Sequence, residues 1–354
     1  MKKYIAIFCL MALLLTACGT APAPTTAATA APTTAATEAP TTAPTEAPTE
    51  APTEAPVTVR LGALTGPTAM GMVRLLKDAD EGSTPLTYEH TLVASADELT
   101  PQIIKGDLDI VSVPANLASV LYNKTGGKVR AIAVNVLGVL YIGEYGAQEV
   151  QSVADLKGKT ILATGAGSTP EYFLRYVLSQ NGLDPDKDVT IEWKSKPDEV
   201  LGILKGEGKG IAMLPQPYAT AAGIQLGEDF HLALSLSDEW AALDNGSLCT
   251  TACILVQSAF ADAHPEAVES FLASFGESVT WVNENVADAA ALCEEYGIIK
   301  APVATKALPK CNIVCITGNE MKDALQGCLG VLFEQNPASV GGAMPGDDYY
   351  YGAN

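Results

Sequence analysis

Two stretches of this chain repeat the same local order of strand, turn and helix, and that duplication limits the fold more than any other feature. The first opens with Val57-Thr58-Val59-Arg60-Leu61-Gly62, which alternates as a strand does. A turn at Thr65-Gly66-Pro67-Thr68 leads into the helical run Ala69 to Leu76. A second unit follows: the strand Asp109 to Val113, the turn Pro114-Ala115-Asn116, then Leu117 to Leu121. The pattern then recurs. Thr160 to Ala163 reads as a strand, Thr164-Gly165-Ala166-Gly167-Ser168-Thr169 as a turn, and Pro170 stands where a helix favours proline. Ile211-Ala212-Met213-Leu214, Pro215-Gln216-Pro217 and Tyr218-Ala219-Thr220 repeat the second unit. In both copies an alanine stands four residues after the first proline, at Ala118 and at Ala219.

Strands alternating with helices imply an α/β fold with a largely parallel sheet. Two copies imply two lobes. Ligands of open α/β sheets sit beyond the carboxyl ends of the strands. Here those ends are the four turns, so facing lobes would place all four on one cleft. Further on, Leu248 to Val256 reads as a strand. A helix from Pro265 carries Val268, Phe271, Leu272, Phe275, Val279 and Val282 at core spacing, with Ser278, Thr280 and Asn283 off that stripe.

The opening of the chain has a different character. Met1-Lys2-Lys3 is positive, and Tyr4 to Leu15 is an apolar run too short to span a bilayer and suited to a signal peptide. It ends Leu15-Thr16-Ala17-Cys18, which resembles a bacterial lipobox, with Cys18 the lipidated residue. Residues 21–56 contain only Ala, Pro, Thr and Glu. Without large apolar side chains nothing offsets the entropy of ordering, and frequent proline favours an extended tether. At about 3.1 Å per residue it reaches on the order of 100 Å. Residues 1–17 are therefore expected to be a signal peptide and 18–56 a lipidated cysteine with its tether. The net charge of −20 argues against nucleic acid as a partner, because phosphate would be repelled.

Lipobox, tether and paired α/β units together resemble the substrate-binding proteins of bacterial ABC importers. Asp155-Leu156-Lys157-Gly158-Lys159-Thr160, followed by Gly165 to Pro170, is similar to the nitrate/sulfonate/taurine-type branch, which includes binders of thiamine pyrimidine precursors. Pro309 to Val314, Val331 to Pro337 and Gly341-Gly342 resemble the same group. The resemblance implies a type II periplasmic-binding-protein fold with two α/β lobes and a ligand cleft between them. Lobe I would comprise residues 57–138 and 248–354, and lobe II residues 139–247, joined near Asn135 to Gly138 and near Asn245 to Ser247. It also implies an extracytoplasmic solute-binding role, with an ABC permease and its ATPase as partners and the bilayer reached through Cys18. A surface lipoprotein that senses a ligand without feeding an importer is the alternative. No cofactor and no metal is expected.

The four turns are nearly free of charge. They offer Gly66, Pro67 and Thr68; Pro114, Ala115 and Asn116; Gly165, Gly167, Ser168 and Thr169; and Gln216. Helix N-termini carry unsatisfied N–H donors and partial positive charge, so converging ends suit a small anion such as a sulfonate. The same hydroxyls and prolines also serve as ordinary caps. Glu171, in a first helical turn, either favours the helix dipole or faces the cleft and pairs with an amino-substituted heterocycle. Trp240 is a candidate for stacking on a ring. Asn135 interrupts an apolar run, and a polar residue in a buried strand needs a partner, either within the hinge or on the ligand.

Six cysteines follow the leader: Cys249, Cys253, Cys293, Cys311, Cys315 and Cys328. In extended strands the C-x3-C pairs stand about 13 Å apart, too far to bridge. Buried thiols are the expected state, with an unlike pair such as Cys293–Cys328 left open. Gly158-Lys159-Thr160 lacks the earlier glycine of a phosphate loop, and His90, His231 and His264 show no catalytic spacing, so no enzyme is expected.

Overall fold

The computed structural model describes residues 57–354. Eleven strands fall into two sheets. One is built from β1 (Thr58–Leu64), β2 (Thr87–Val93), β3 (Ile110–Pro114), β4 (Val129–Leu137), β10 (Thr250–Gln257) and β11 (Ile313–Ile316). The other is built from β5 (Leu140–Tyr145), β6 (Thr160–Thr164), β7 (Thr190–Lys194), β8 (Gly210–Pro215) and β9 (Phe230–Ser235). The helices, in chain order, begin with α1 (Pro67–Met70), α2 (Val73–Asp80), α3 (Ala96–Lys105) and α4 (Ala115–Thr125). Next come α5 (Thr169–Gln180), α6 (Pro197–Glu207), α7 (Tyr218–Leu226) and α8 (Leu236–Ala242). The chain then returns to the first sheet and adds α9 (Ser258–Ala263), α10 (Pro265–Glu284), α11 (Val286–Glu295), α12 (Ala301–Ala307) and α13 (Gly318–Gln335). No helix among the described residues is long and apolar enough to cross a membrane.

The strand order explains the repeat seen in the sequence. The first sheet runs β11-β4-β10-β3-β1-β2 and the second β9-β5-β8-β6-β7. In each, three parallel strands (β2-β1-β3 and β7-β6-β8) are followed by one antiparallel strand, β10 or β5. Both antiparallel strands have just arrived from the other lobe. The chain leaves the first sheet at Leu137 and enters the second at Leu140; it leaves α8 at Ala242 and re-enters the first sheet at Thr250. Two short crossings therefore join the lobes.

The first crossing is tightly packed. A Cβ on Gly138 would stand 1.8 Å from the Ser237 hydroxyl and 2.8 Å from the Cys249 thiol, so no larger residue fits without movement. Asn312, itself at positive φ, fixes the same segment: its amide donates to the Gly138 carbonyl at 2.6 Å.

Apolar side chains fill both faces of the first sheet. The α10 stripe is buried as its spacing predicts, with Phe271 and Phe275 stacked at 5.9 Å; Leu272 is only half-buried. Ser278 departs from the expectation. It is buried, donates to the Gly71 carbonyl at 2.7 Å and accepts the Leu75 N–H at 3.2 Å. It serves the gap between α1 and α2, where backbone groups lack intrahelical partners. The Cys249, Cys253, Cys293, Cys311, Cys315 and Cys328 thiols are all unpaired, and all six belong to the first lobe or the crossing into it.

Candidate ligand-binding site

The carboxyl ends of β1, β3, β6 and β8 lead directly into α1, α4, α5 and α7. These strand ends carry an unusual density of buried polar side chains: Thr68, Ser112, Asn116, Asn135, Thr169, Gln216 and Thr220. None is ionisable. The two buried carboxylates among the described residues, Asp109 and Glu144, lie at the opposite ends of their sheets. Asp109 is held by the Arg60 guanidinium at 2.5 and 2.9 Å, and Glu144 accepts the N–H groups of Glu149 and Val150.

The lobes touch at Asn116 and Thr169. The Thr169 hydroxyl, at the start of α5, donates to Asn116 Oδ1 at 2.8 Å. Asn116, in the first turn of α4, directs its Nδ2 at the Ser339 carbonyl, 3.4 Å away. Two peripheral bonds flank this contact: Asn336 Nδ2 to the Tyr172 hydroxyl at 3.3 Å, and the Tyr141 hydroxyl to the Lys310 carbonyl at 3.2 Å.

Two buried amides stand at these strand ends, one in each lobe. Asn135, in β4, donates through Nδ2 to Ser112 Oγ at 2.8 Å and to the Thr68 carbonyl at 3.4 Å. Its Oδ1 is buried without a partner. Gln216, just past β8, accepts through Oε1 from the Thr220 N–H at 3.3 Å and the Thr220 hydroxyl at 2.7 Å. Its Nε2 is buried without a partner. The Gln216–Pro217 peptide is cis, and the Gln216 N–H donates to the Val139 carbonyl at 2.8 Å, which ties this turn to the first crossing.

Other residues expected at the site are occupied by their own turns. The Thr68 hydroxyl donates to the Leu64 carbonyl at 2.5 Å, and Ser168 Oγ to the Gly165 carbonyl at 2.7 Å. Gly66 caps α1, with its carbonyl accepting from Ala69 and Met70, and Pro67 follows as the first helical residue. Pro114 caps α4 and Ala115 is fully buried behind it. Gly165 has φ of +90°, and a Cβ there would strike the Pro170 ring at 2.8 Å, so the tight approach of turn to helix requires glycine.

Two expectations are corrected. Glu171 does not stand free to pair with a ligand: one oxygen accepts the Gly167 N–H at 2.7 Å and the other the Arg175 Nε at 2.8 Å. Trp240 does not offer its ring for stacking. It is 1% exposed, its indole packs on Phe173 at 4.9 Å and Tyr176 at 4.7 Å, and its N–H donates to Ser247 Oγ at 3.0 Å. It holds α5 against α8 instead. Ser112, Thr220 and Ser339 were not singled out from the sequence. Ser112 had a signal, a hydroxyl inside the otherwise apolar strand Ile110 to Val113.

Two mixed α/β sheets in separate lobes, joined by two crossings with polar strand ends between them, define the type II periplasmic-binding-protein fold. Solved structures agree. The chain is similar to an ABC transporter protein from Parabacteroides distasonis, with 21% identity, 83% of this chain and 98% of that one covered, and a TM-score of 0.70. It is similar to the periplasmic aliphatic sulphonate binding protein SsuA of Escherichia coli, at 17% identity, 80% and 89% coverage and a TM-score of 0.66. The periplasmic nitrate-binding protein NrtA of Synechocystis PCC 6803 also matches, at 15% identity, 79% and 82% coverage and a TM-score of 0.56. No curated protein sequence matches. The NMT1-like family model matches residues 67–295, and the chain belongs to that family.

Proposed function

We propose that this protein is the extracytoplasmic solute-binding component of an ABC importer. It captures a small organic molecule, a sulfonate-like anion or a thiamine-type pyrimidine, between its lobes and delivers it to a membrane permease and its ATPase. The observation that carries this reading is the buried, uncharged polar surface at four strand ends, bridged across the lobes by Asn116 and Thr169. Family membership and the titles of the similar structures support it.

The chemistry of capture follows from that surface. The first turns of α4, α5 and α7 carry N–H groups without intrahelical acceptors and with partial positive charge, which suits an oxyanion without any arginine. Asn116, Asn135 and Gln216 add directional contacts. Two short crossings let the lobes close as rigid bodies on the solute, and the closed form is the one to dock. Lipid attachment at Cys18, which lies outside the described residues, would keep the domain near its permease.

A thermal-shift panel of alkanesulfonates, taurine, nitrate, thiamine and its aminopyrimidine precursor tests the reading. A ligand at a hundred times its dissociation constant stabilises by about 2.7 kcal/mol. A shift with a sulfonate or pyrimidine is expected, and no shift with any member would overturn the assignment of solute class. Incorporation of labelled palmitate, lost on Cys18→Ser, is the expected result for the anchor.

A further inference from the structure

The two buried carboxylates are satisfied in different ways. Asp109, in the first lobe, has both oxygens held by the Arg60 guanidinium, at 2.5 and 2.9 Å. Glu144, 2% exposed in β5, has no such partner: among the described residues neither lysine nor arginine pairs with it. The N–H groups it accepts, from Glu149 and Val150 at 2.9 and 3.0 Å, both end on Oε2. His231, opposite it on β9, stands 3.7 Å from that same oxygen, beyond hydrogen-bond reach. Oε1 accepts from no described residue, and it is not sealed in the core.

Glu144 lines a surface cavity of about 300 Å³, a volume at the lower end of the range for small-ligand pockets. The cavity lies where β6 and β8 begin and β5 ends, at the opposite end of the second sheet from Thr169 and Gln216. Glu149, Glu207, Lys159 and Lys209 share its walls. Lys159 is paired with Glu149, and three carboxylates against two lysines leave one negative charge over. A buried carboxylate is costly unless charged donors meet it. In a chain of net charge −20, a cation is also the ion that gathers at the surface.

We infer that this cavity is a second ligand site, separate from the one between the lobes, and that it takes a small primary ammonium compound. An ammonium group brings three donors and one positive charge. One N–H donates to Glu144 Oε1, and the charge balances the cavity. The donor set does not suit a metal ion, because among the described residues no three His, Cys, Asp or Glu side chains are grouped to hold one.

Amide NMR of the full-length chain, titrated with ethylammonium, tetramethylammonium and acetate, tests this. Ethylammonium is expected to shift the Glu149 and Val150 resonances saturably, because those N–H groups share the Glu144 carboxylate, and to leave Thr169 unmoved. Tetramethylammonium carries the charge without a donor and is expected to bind at least about tenfold more weakly, and acetate not to bind. Glu144→Gln keeps an oxygen for both N–H groups but removes the charge, and should weaken ethylammonium by about tenfold or more. The wild-type titrations stand whether or not that variant folds. No saturable shift with ethylammonium, or a shift at Thr169 alone, would overturn the second site. An equal response to tetramethylammonium, or unchanged affinity in Glu144→Gln, would overturn the ammonium assignment.

Discussion

The two lobes share a strand order but satisfy their buried strand-end amides in opposite senses. In the first lobe Asn135 spends its donor on Ser112 and Thr68 and leaves an acceptor bare. In the second, Gln216 spends its acceptor on Thr220 and leaves a donor bare. A duplicated topology therefore supplies the frame, within which one amide in each lobe is turned the opposite way. The supports differ too. The wall that carries Thr169 rests on Phe173, Tyr176 and Trp240, whereas Asn116 rests against the loop ending in Ser339 and Val340, which accept from Asn116, Ser119 and Asn123.

The strongest way to break this comparison is to remove the support on one side. Trp240→Ala empties a buried aromatic site in the second lobe, and such truncations cost about 3–5 kcal/mol. Urea denaturation is expected to lose that much stability, with the loss appearing without ligand. An effect confined to binding, with stability intact, would return Trp240 to the cleft.

Next in size is loss of the two buried amides. Gln216→Leu strands the Thr220 N–H and hydroxyl, and Asn135→Leu strands Ser112 and the Thr68 carbonyl. Each is expected to cost about 1–3 kcal/mol of stability, since a buried polar group loses its partner. Urea denaturation of both variants checks this, and unchanged stability in either would show that its amide is not what satisfies those groups.

A smaller effect is expected from Thr169→Val, which deletes the hydroxyl bridging to Asn116 at nearly constant shape. The net worth of one such bond is about 0.5–1.5 kcal/mol, so the closed-to-open ratio should fall by a factor of about two to ten. A fluorescence-transfer pair with one dye on each lobe reads this directly. An unchanged distance distribution would show that the bridge does not hold the lobes together.

Much of this frame was legible in the sequence because it is written in local patterns. Strand alternation, Pro170 at a helix start and Gly165 in its turn are short-range signals, and they located all four strand ends. Asn135 was legible as a polar break in an apolar run. The sharing of partners was not. Whether Glu171 faces a ligand or folds back depends on Arg175 and the Gly167 N–H, and a helix-dipole argument cannot rank those against a cleft. Trp240 stands beside a crossing in sequence but points into the core, because its ring meets α5 from the far side of the lobe II sequence. Ser278 and Ser112 carry no local signal of their roles, because a lone hydroxyl on an apolar element shows its purpose only through its partners, the Gly71 and Leu75 backbone for Ser278 and the Asn135 amide for Ser112.

The lobes also differ in their titratable groups, with the raised thiols confined to one and four of the five lowered carboxylates in the other, Glu294 being the exception, which yields the subtlest test. All six described thiols belong to the first lobe or the crossing into it, and burial pushes their pKa values up, Cys253, Cys293 and Cys328 to about 12 and Cys315 to about 11. A raised acid contributes stability that is complete below its unfolded value and is lost as pH rises toward the folded one. The first lobe should therefore loosen between about pH 9 and 12. The second lobe holds Glu149 and Asp155, both exposed, and Asp184 and Asp188, both half-buried, whose pKa values are lowered by hydrogen bonds from Lys159, from the Gln151 N–H, from Lys187 and from the Asp184 N–H respectively. A lowered acid contributes stability that is complete above the ordinary 3.8–4.5 range and is lost as pH falls below it. Solvent and salt screening at these surface positions keep that contribution small. Hydrogen exchange resolved by segment is expected to show alkali opening 250–257 and 318–335 first, and acid opening 149–194 first. Equal sensitivity of both lobes at both extremes would mean that the thiols and the surface carboxylates do not govern their stability, and that the asymmetry between the lobes is confined to the strand ends.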